Sequence, residues 1–127
     1  MEAVMATLND RVFDNGLTVL DTEANAIHVT SQEATTYAEA TSTYSLGNST
    51  SLSIGAPQDR SGGGREVVVA AITDGAVTGT GTVTHYAIVD TANSRLLATS
   101  TLTASQAVTD GNTFTLSSVA IGIPDPA

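Results

Sequence analysis

Apolar and polar residues alternate over short runs in the C-terminal two-thirds of the chain, with the period typical of β-strands. Residues 82–90 (TVTHYAIVD) place every second side chain on one face, and both faces carry apolar groups. Residues 95–103 (RLLATSTLT) follow a turn-prone loop at 90–94, so the two segments predict a hairpin. The repeated threonines also favour β-strands, because the branched Cβ of threonine favours extended backbone and its hydroxyl suits a solvated face.

Further strands are predicted on both sides of this hairpin. Residues 66–72 (EVVVAAI) form a short apolar run, which indicates a strand covered on both faces, and residues 73–75 (TDG) predict a turn. After a turn at 109–112 (TDGN), residues 113–123 (TFTLSSVAIGI) predict a final strand. The closing residues 124–127 (PDPA) cannot continue a ladder, because proline lacks the N–H donor.

The N-terminal third is less regular. Residues 17–31 allow either a hairpin or a short helix that leads into a strand at 26–30. Threonines in residues 32–44 oppose a long helix, so we expect a loop with one helical turn. Residues 52–57 predict a short strand that ends at its proline, and the glycine-rich residues 58–66 predict a mobile loop.

Taken together, about seven short strands with intervening turns predict an all-β fold, an antiparallel β-sandwich or barrel with a less regular N-terminal arm. A length of 127 residues suits one domain. We therefore divide the chain into an arm, residues 1–16, and a single β-rich domain, residues 17–127, which contains the glycine-rich loop near 58–66. No fixed-period repeat is visible.

The charge balance restricts the class of partner. The chain has four basic residues, all arginine, against thirteen carboxylates, and its net charge is −9. Nucleic-acid binding requires a basic surface that neutralises phosphates, so we expect no nucleic-acid partner. Anionic membrane surfaces are disfavoured for the same reason. No apolar run approaches the roughly 18 residues of a membrane span, and we see no secretory signal.

The candidate chemical groups are few. The chain has no cysteine, which excludes a disulfide framework and a cysteine zinc site. His85 and His28 are the candidate general bases, but each is also explained as a hydrogen-bonded or solvated strand histidine. Two histidines fall short of the three or four ligands of a metal site. We therefore expect no metal and no cofactor.

Three catalytic signatures are absent or incomplete in the sequence. No serine lies in a G-x-S-x-G elbow, so a serine hydrolase is disfavoured. The stretch GTGTVT lacks the third glycine of a dinucleotide fingerprint and enters a predicted strand rather than a helix. The stretch GGGR is not followed by the lysine of a phosphate loop.

Carboxylates are the most plentiful titratable groups. Paired acids could cleave a glycosidic bond, but the chain has no tryptophan for a sugar platform. Residues 21–25 (DTEAN) and 90–94 (DTANS) offer oxygen ligands for calcium without EF-hand spacing. We therefore interpret the acids as surface groups and expect no enzyme. The candidate acids are Asp10, Asp14, Asp21, Glu23, Glu33 and Glu39.

Residues 16–40 and 84–127 together resemble a set of small bacteriophage and prophage proteins encoded among head and tail structural genes. The resemblance lies in an early DTEAN, a central TYAEA and a late HYAIVDTANSRLLAT, and it covers most of the chain. It implies a virion component, either a β-rich protein that decorates the head or a small tail or fibre component. It carries no residue with an assigned role.

The resemblance makes a capsid decoration or cement protein the leading expectation, located in the virion and bound to the major capsid protein or other virion proteins. Self-association, for example as a trimer, would let it span neighbouring capsomers. The alternatives are a tail or fibre component, a carbohydrate-binding attachment module, and an acid-pair hydrolase.

The N-terminal arm is the expected docking element. Its run VMATLNDRVF carries apolar groups and an arginine without an obvious place in the sandwich. The alternative is that the arm forms an edge strand of the same domain. The candidate docking residues are Val4, Leu8, Arg11, Val12 and Phe13.

Overall fold

The computed structural model describes residues 7–8, 15–61 and 64–123. In the part of the chain that the structure describes, the α-helix α1 (Thr18–Glu23) and a π-helix (Glu39–Thr43) accompany the strands. The strands are β1 (Thr7–Leu8), β2 (Ala26–Thr30), β3 (Ser45–Ser49), β4 (Gln58–Asp59), β5 (Arg65–Val69), β6 (Ile72–Val77), β7 (Gly81–Asp90), β8 (Arg95–Val108), β9 (Thr113–Leu116) and β10 (Val119–Ile123).

The strands form two antiparallel sheets. The larger one is curled and has seven strands in the order β1-β8-β7-β2-β3-β6-β9. The smaller one has the order β10-β5-β4. The two sheets share one hydrophobic core, so the predicted all-β fold is confirmed.

The predicted hairpin at 82–103 is present as β7 and β8. Its turn is held by Asp90, which is buried and accepts hydrogen bonds from the N–H groups of Ala92 and Asn93, at 3.0 and 3.3 Å. Ser94 completes the turn with φ 52°, in the left-handed region. The aspartate therefore accepts hydrogen bonds from turn N–H groups that lie outside the β7–β8 pairing.

The apolar run at 66–72 is not one strand, and this prediction was wrong. β5 ends at Val69 in the small sheet, and β6 begins at Ile72 in the large sheet. Between them the N–H of Ala70 donates to the Ser53 carbonyl at 2.8 Å. Each half of the run completes its hydrogen bonds in a different sheet, which a local pattern cannot anticipate.

The turn predicted at 73–75 lies inside β6. The pairing of β6 with β9 shifts between Ile72 and Gly75, so one extra residue bulges from β6 instead of reversing it. The ring of Phe114 occupies the space where a Cβ on Gly75 would lie. The glycine therefore serves a close approach and not a turn.

The predicted final strand at 113–123 is also divided. β9 pairs with β6 in the large sheet, whereas β10 pairs with β5 in the small one. Ser117 and Ser118 lie between them. The chain thus crosses from one sheet to the other at this point, as it does after β5.

In the N-terminal third, the helical alternative for residues 17–31 is observed. α1 buries Val19 and Leu20, and all five residues of β2 are buried. Residues 32–44 contain one short helical segment, the π-helix, as expected. None of the helices in the described part of the chain is long and apolar enough to cross a lipid bilayer.

One other prediction for this part of the chain was wrong, and one strand was missed. Residues 52–57 are not a strand, because only Ile54 forms an isolated bridge, to Val69. The strand β3 was not predicted, since its polar sequence SLGNS shows no alternation of apolar residues. Within the glycine-rich loop, β4 pairs with Arg65 and Glu66, and residues 62–63 lie outside the described residues.

The main core lies between the two sheets and is closed by α1. Leu20, Ile27, Ile88 and Leu97 are fully buried there. A second apolar layer covers the opposite face of the large sheet. In it, segment 32–44 contributes small and aromatic residues against β2, β7 and β8. That layer comprises Ala26, Ala34, Tyr37, Ala40, Tyr44, Ala87, Val89 and Leu96.

Candidate functional site

A cleft lies between β8 and the segment in which the chain passes from β9 to β10. Four strands separate β8 from β9 in the sheet order, and the curl of the large sheet brings β8 and β9 close enough for a direct hydrogen bond. The side-chain Nε2 of Gln106 on β8 donates to the Thr115 carbonyl on β9 at 2.7 Å. The hydrogen bond joins β8 directly to β9, two strands that are not neighbours in the large sheet.

An irregularity in β8 lies beside this cleft. Thr101 pairs with His85 and Gln106 with Val83, so a five-residue step on β8 (106 − 101) opposes a two-residue step on β7 (85 − 83). Residues 102–105 therefore leave the ladder as a long bulge. Such bulges bend a strand and redirect its side chains. Here Leu102 packs against the core, whereas the three residues after it are exposed.

The cleft has a volume of about 320 Å³ and an apolar floor. Ile27, Ile72 and Tyr86 contribute to the floor, and Leu102 and Leu116 line the sides. The other lining residues are apolar or are serine, threonine and glutamine; among the described residues that line the cleft, none is charged. An apolar concavity with a few hydroxyl and amide groups is typical of a binding site.

Tyr86 supplies the buried hydroxyl of the cleft. Its side chain is 6% exposed, and burial raises the pKa of its phenol above the ordinary value because the phenolate would lose hydration. A hydrogen bond with Ser100 opposes this rise in pKa only in part. Tyr86 therefore remains a neutral hydroxyl that can donate a hydrogen bond.

The two histidines lie on the opposite, outer face of the large sheet. In the pairing of β2 with β7, His28 is opposite Ala87 and Thr30 is opposite His85, so the histidines are diagonal neighbours. His28 Nδ1 lies 2.9 Å from the Ser45 hydroxyl, and burial lowers the pKa of His28. The sheet thus brings together two residues that are far apart in the sequence.

His85 has a different environment from His28. Its Nδ1 lies 2.8 Å from the hydroxyl of Thr84, whose Oγ1 also donates to the Ser31 carbonyl at 2.9 Å. Its Nε2 is buried without a hydrogen-bond partner among the described residues. In that part of the chain, no three His, Cys, Asp or Glu residues converge into a group that could hold a metal ion.

The two segments that offer oxygen ligands for calcium, residues 21–25 and 90–94, contact each other. Asn25 Nδ2 donates to the Thr91 hydroxyl at 2.8 Å, and the Thr91 N–H donates to Asn25 Oδ1 at 3.0 Å. The Asn25 N–H also donates to the Val89 carbonyl at 3.0 Å. These oxygens therefore join α1 to the β7–β8 turn, and the DTEAN and DTANS segments meet as a structural contact.

The other acids have separate partners. Glu23 lies 3.6 Å from Arg95, and Glu33 accepts a hydrogen bond from Thr99 at 3.3 Å. Glu39 accepts hydrogen bonds from the N–H and the hydroxyl of Thr35, both at 2.8 Å, and these lower the pKa of its carboxyl. Asp10 and Asp14 lie outside the described residues.

Of the five candidate docking residues, only Leu8 is in the described part of the chain. It belongs to β1, where Leu8 pairs with Ala98 and Thr7 with Thr99 at the edge of β8. This pairing agrees with the alternative that part of the arm forms an edge strand. Val4, Arg11, Val12 and Phe13 lie outside the described residues.

Sequence reasoning missed the cleft itself. The available signal was an uncharged stretch at residues 96–109, within and just after β8. The length of this uncharged stretch is visible in the sequence. The bulge in β8 and the position of β9 opposite it depend on how the sheet curls. Comparison with protein-family models, curated proteins and solved structures finds no match for this chain.

Proposed function

We propose that this chain is a bacteriophage virion structural protein that binds the assembled head as a decoration protein and stabilises it. The protein acts by binding rather than by catalysis, and its partners are the major capsid protein or other virion proteins. The proposal rests on the resemblance to phage head and tail proteins and on one structural observation, the uncharged edge of β8.

The edge of β8 is unusual for a protein that works alone. Native proteins discourage pairing at a free edge with charged side chains, proline or bulges. β8 has a bulge, but residues 96–109 contain neither a charge nor a proline, in a chain of net charge −9. Within the described residues, β1 pairs with this edge at Thr99 and Ala98. An edge of this kind supports a role in which a partner covers it.

The proposed stabilisation follows from mass action. A protein that binds the assembled shell better than its free subunits lowers the free energy of the shell. Self-association of the decoration protein, for example as a trimer, would make several weak contacts act together. The net charge of −9 opposes association of free copies where no specific contact offsets the repulsion.

The test is co-sedimentation of the purified chain with heads that lack tails, taken from the phage or prophage that encodes it. We expect the wild-type chain to sediment with the heads and to raise their melting temperature. Sedimentation with isolated tails and not with heads would contradict the proposal and favour the tail or fibre alternative.

Two matched variants test whether the edge of β8 carries the contact. Thr103 is exposed and lines the cleft, whereas Thr82 is exposed on β7 and does not line it. Thr103→Asp should weaken head binding by about tenfold or more, because it adds a charge to an uncharged contact. Thr82→Asp adds the same charge elsewhere and should bind like the wild type.

A further inference from the structure

We infer that segment 32–44, the outer flap, is operated by acid: protonation of His28 and His85 releases it from the outer face of the large sheet. The inference goes beyond the proposed function and does not depend on it. The observation that carries it is that hydrogen bonds from the two histidines lead to the two ends of the flap. Histidine is the side chain whose charge ordinarily changes between pH 5 and 8.

At the first end of the outer flap, a chain of hydrogen bonds runs from His85 to the backbone. The Thr84 hydroxyl donates its proton to the Ser31 carbonyl at 2.9 Å, so it accepts from His85 Nδ1, which lies 2.8 Å away. Neutral His85 therefore carries its proton on Nδ1 and has a bare Nε2. Because that Nε2 is buried without a partner among the described residues, protonation would create a buried N–H group with no acceptor.

At the second end, His28 holds the residue that follows the outer flap. The Ser45 hydroxyl donates to the Gly47 carbonyl at 3.3 Å, so it accepts from His28 Nδ1 at 2.9 Å. His28 is 8% exposed, and burial lowers its pKa because the charged ring would lose hydration. His28 and His85 are diagonal neighbours in the sheet, so two positive charges there would also repel each other.

The surroundings of the two histidines do not offset such charges. Within the described residues, neither histidine forms an ion pair. Their cross-strand neighbours are uncharged, namely Asn48, Ala87, Thr30 and Thr101. The titratable groups on the elements around the pair are Glu33, Tyr37, Glu39 and Tyr44 in the outer flap, and Asp90 and Arg95 at the β7–β8 turn. The two flap carboxylates move with the flap, and each already accepts a hydrogen bond from a threonine.

The outer flap can leave the sheet as a unit because several of its hydrogen bonds are internal. The Ala40 N–H donates to the Thr36 carbonyl at 3.0 Å, and the Thr41 hydroxyl donates to the Tyr37 carbonyl at 2.9 Å. Its buried apolar contacts with the sheet come from two small residues, Ala34 and Ala40, beside partly buried tyrosines. A segment with small apolar contacts opens at a lower free energy than the core of a domain.

The experiment measures opening of the outer flap by thiol labelling of the full-length chain, which has no cysteine of its own. Ala34→Cys places a thiol at a buried position of the flap, and Ala38→Cys places a matched thiol at an exposed one. The ratio of their labelling rates gives the open fraction and cancels the pH dependence of thiolate formation. Between about pH 7.5 and about pH 5.5 we expect this ratio to rise about tenfold for each histidine that takes up a proton on opening, and about a hundredfold for both.

Two controls separate opening of the outer flap from other causes. Val67→Cys reports global unfolding, because Val67 is fully buried on β5 in the small sheet. Relative to Ala38→Cys, it should label at least about tenfold more slowly than Ala34→Cys at both pH values. Introduced into the Ala34→Cys and Ala38→Cys proteins, His28→Gln or His85→Gln alone should reduce the rise to about tenfold, and the two together should abolish it, because glutamine does not titrate.

Three results would overturn the inference. The first is equal protection at positions 34 and 67, which would mean that the outer flap opens only when the whole domain unfolds. The second is a labelling ratio for Ala34→Cys that does not change with pH. The third is a rise that persists when both histidines are replaced, which would assign the pH dependence to other groups.

Discussion

The contact between Gly75 and Phe114 predicts a large effect from a single methyl group. Gly75 pairs with Phe114 across β6 and β9, and a Cβ at Gly75 would overlap the phenyl ring. Phe114 is 2% exposed and packs in the main core, so its ring cannot turn away into solvent. Gly75→Ala should therefore force the ring or the strand to move, which typically costs about 2 kcal/mol in a packed core.

The assay is equilibrium unfolding in urea, with thermal unfolding as a second measurement. A loss of about 2 kcal/mol corresponds to a fall of about 8 °C in melting temperature for a domain of this size. Gly55→Ala is the control, because a Cβ there meets nothing within 4 Å and the backbone angle is ordinary. That variant should be neutral or more stable by about 0.5 kcal/mol, since alanine restricts the unfolded chain.

A double-mutant cycle tests the cause of the loss. Phe114→Leu removes the part of the ring that the new methyl group would meet, at a cost of its own of about 1 to 2 kcal/mol. The double variant should be at least about 1 kcal/mol more stable than the sum of the single effects predicts. Additive effects, or a loss in Gly75→Ala no greater than that in Gly55→Ala, would refute the packing argument.

Three further predictions concern the rest of the core and its buried polar groups. Leu20→Ala should lower the free energy of unfolding by about 2 to 5 kcal/mol in urea titrations, because it leaves a cavity under α1 at a fully buried position. Asp90→Ala should lower it by about 1 to 3 kcal/mol and accelerate backbone amide exchange at Ala92 and Asn93, whose N–H groups lose their acceptor; unchanged exchange would contradict this role. Because burial lowers the folded-state pKa of His28, stability should be complete above its ordinary value of 6.5 and decline as the pH falls below it, by at most about 1.4 kcal/mol per pH unit. The decline should be smaller in His28→Gln, and equal pH profiles for the two proteins would disprove the assignment.

Local patterns were sufficient for several elements of the fold. The β7–β8 hairpin was predicted because both strands alternate and the loop at 90–94 is rich in turn-forming residues. The short helix before β2 was one of two alternatives, and it is the one observed. In each case the pattern that predicts the element lies within the element itself or its adjoining turn.

Local patterns failed where the chain changes sheets. The runs at 66–72 and 113–123 each looked continuous, yet each supplies one strand to the large sheet and one to the small sheet. The sequence TDG at 73–75 has the composition of a turn, but the ring of Phe114 makes Gly75 part of a bulged strand. β3 was missed because its pairing with β2 and β6 stabilises a sequence with little strand preference of its own.

The features of the candidate site also fall into those that the sequence shows and those that the tertiary structure determines. The sequence alone shows a short-stranded, threonine-rich chain with few reactive groups, a net charge of −9 and an uncharged stretch at 96–109. Only the tertiary structure places Gln106 against Thr115, opens the cleft over Tyr86, and brings His28 near His85. The physical reason is that backbone preference and side-chain polarity act within a few residues. Strand partners and the curl of a sheet depend on contacts between distant segments, whose energies no short stretch contains.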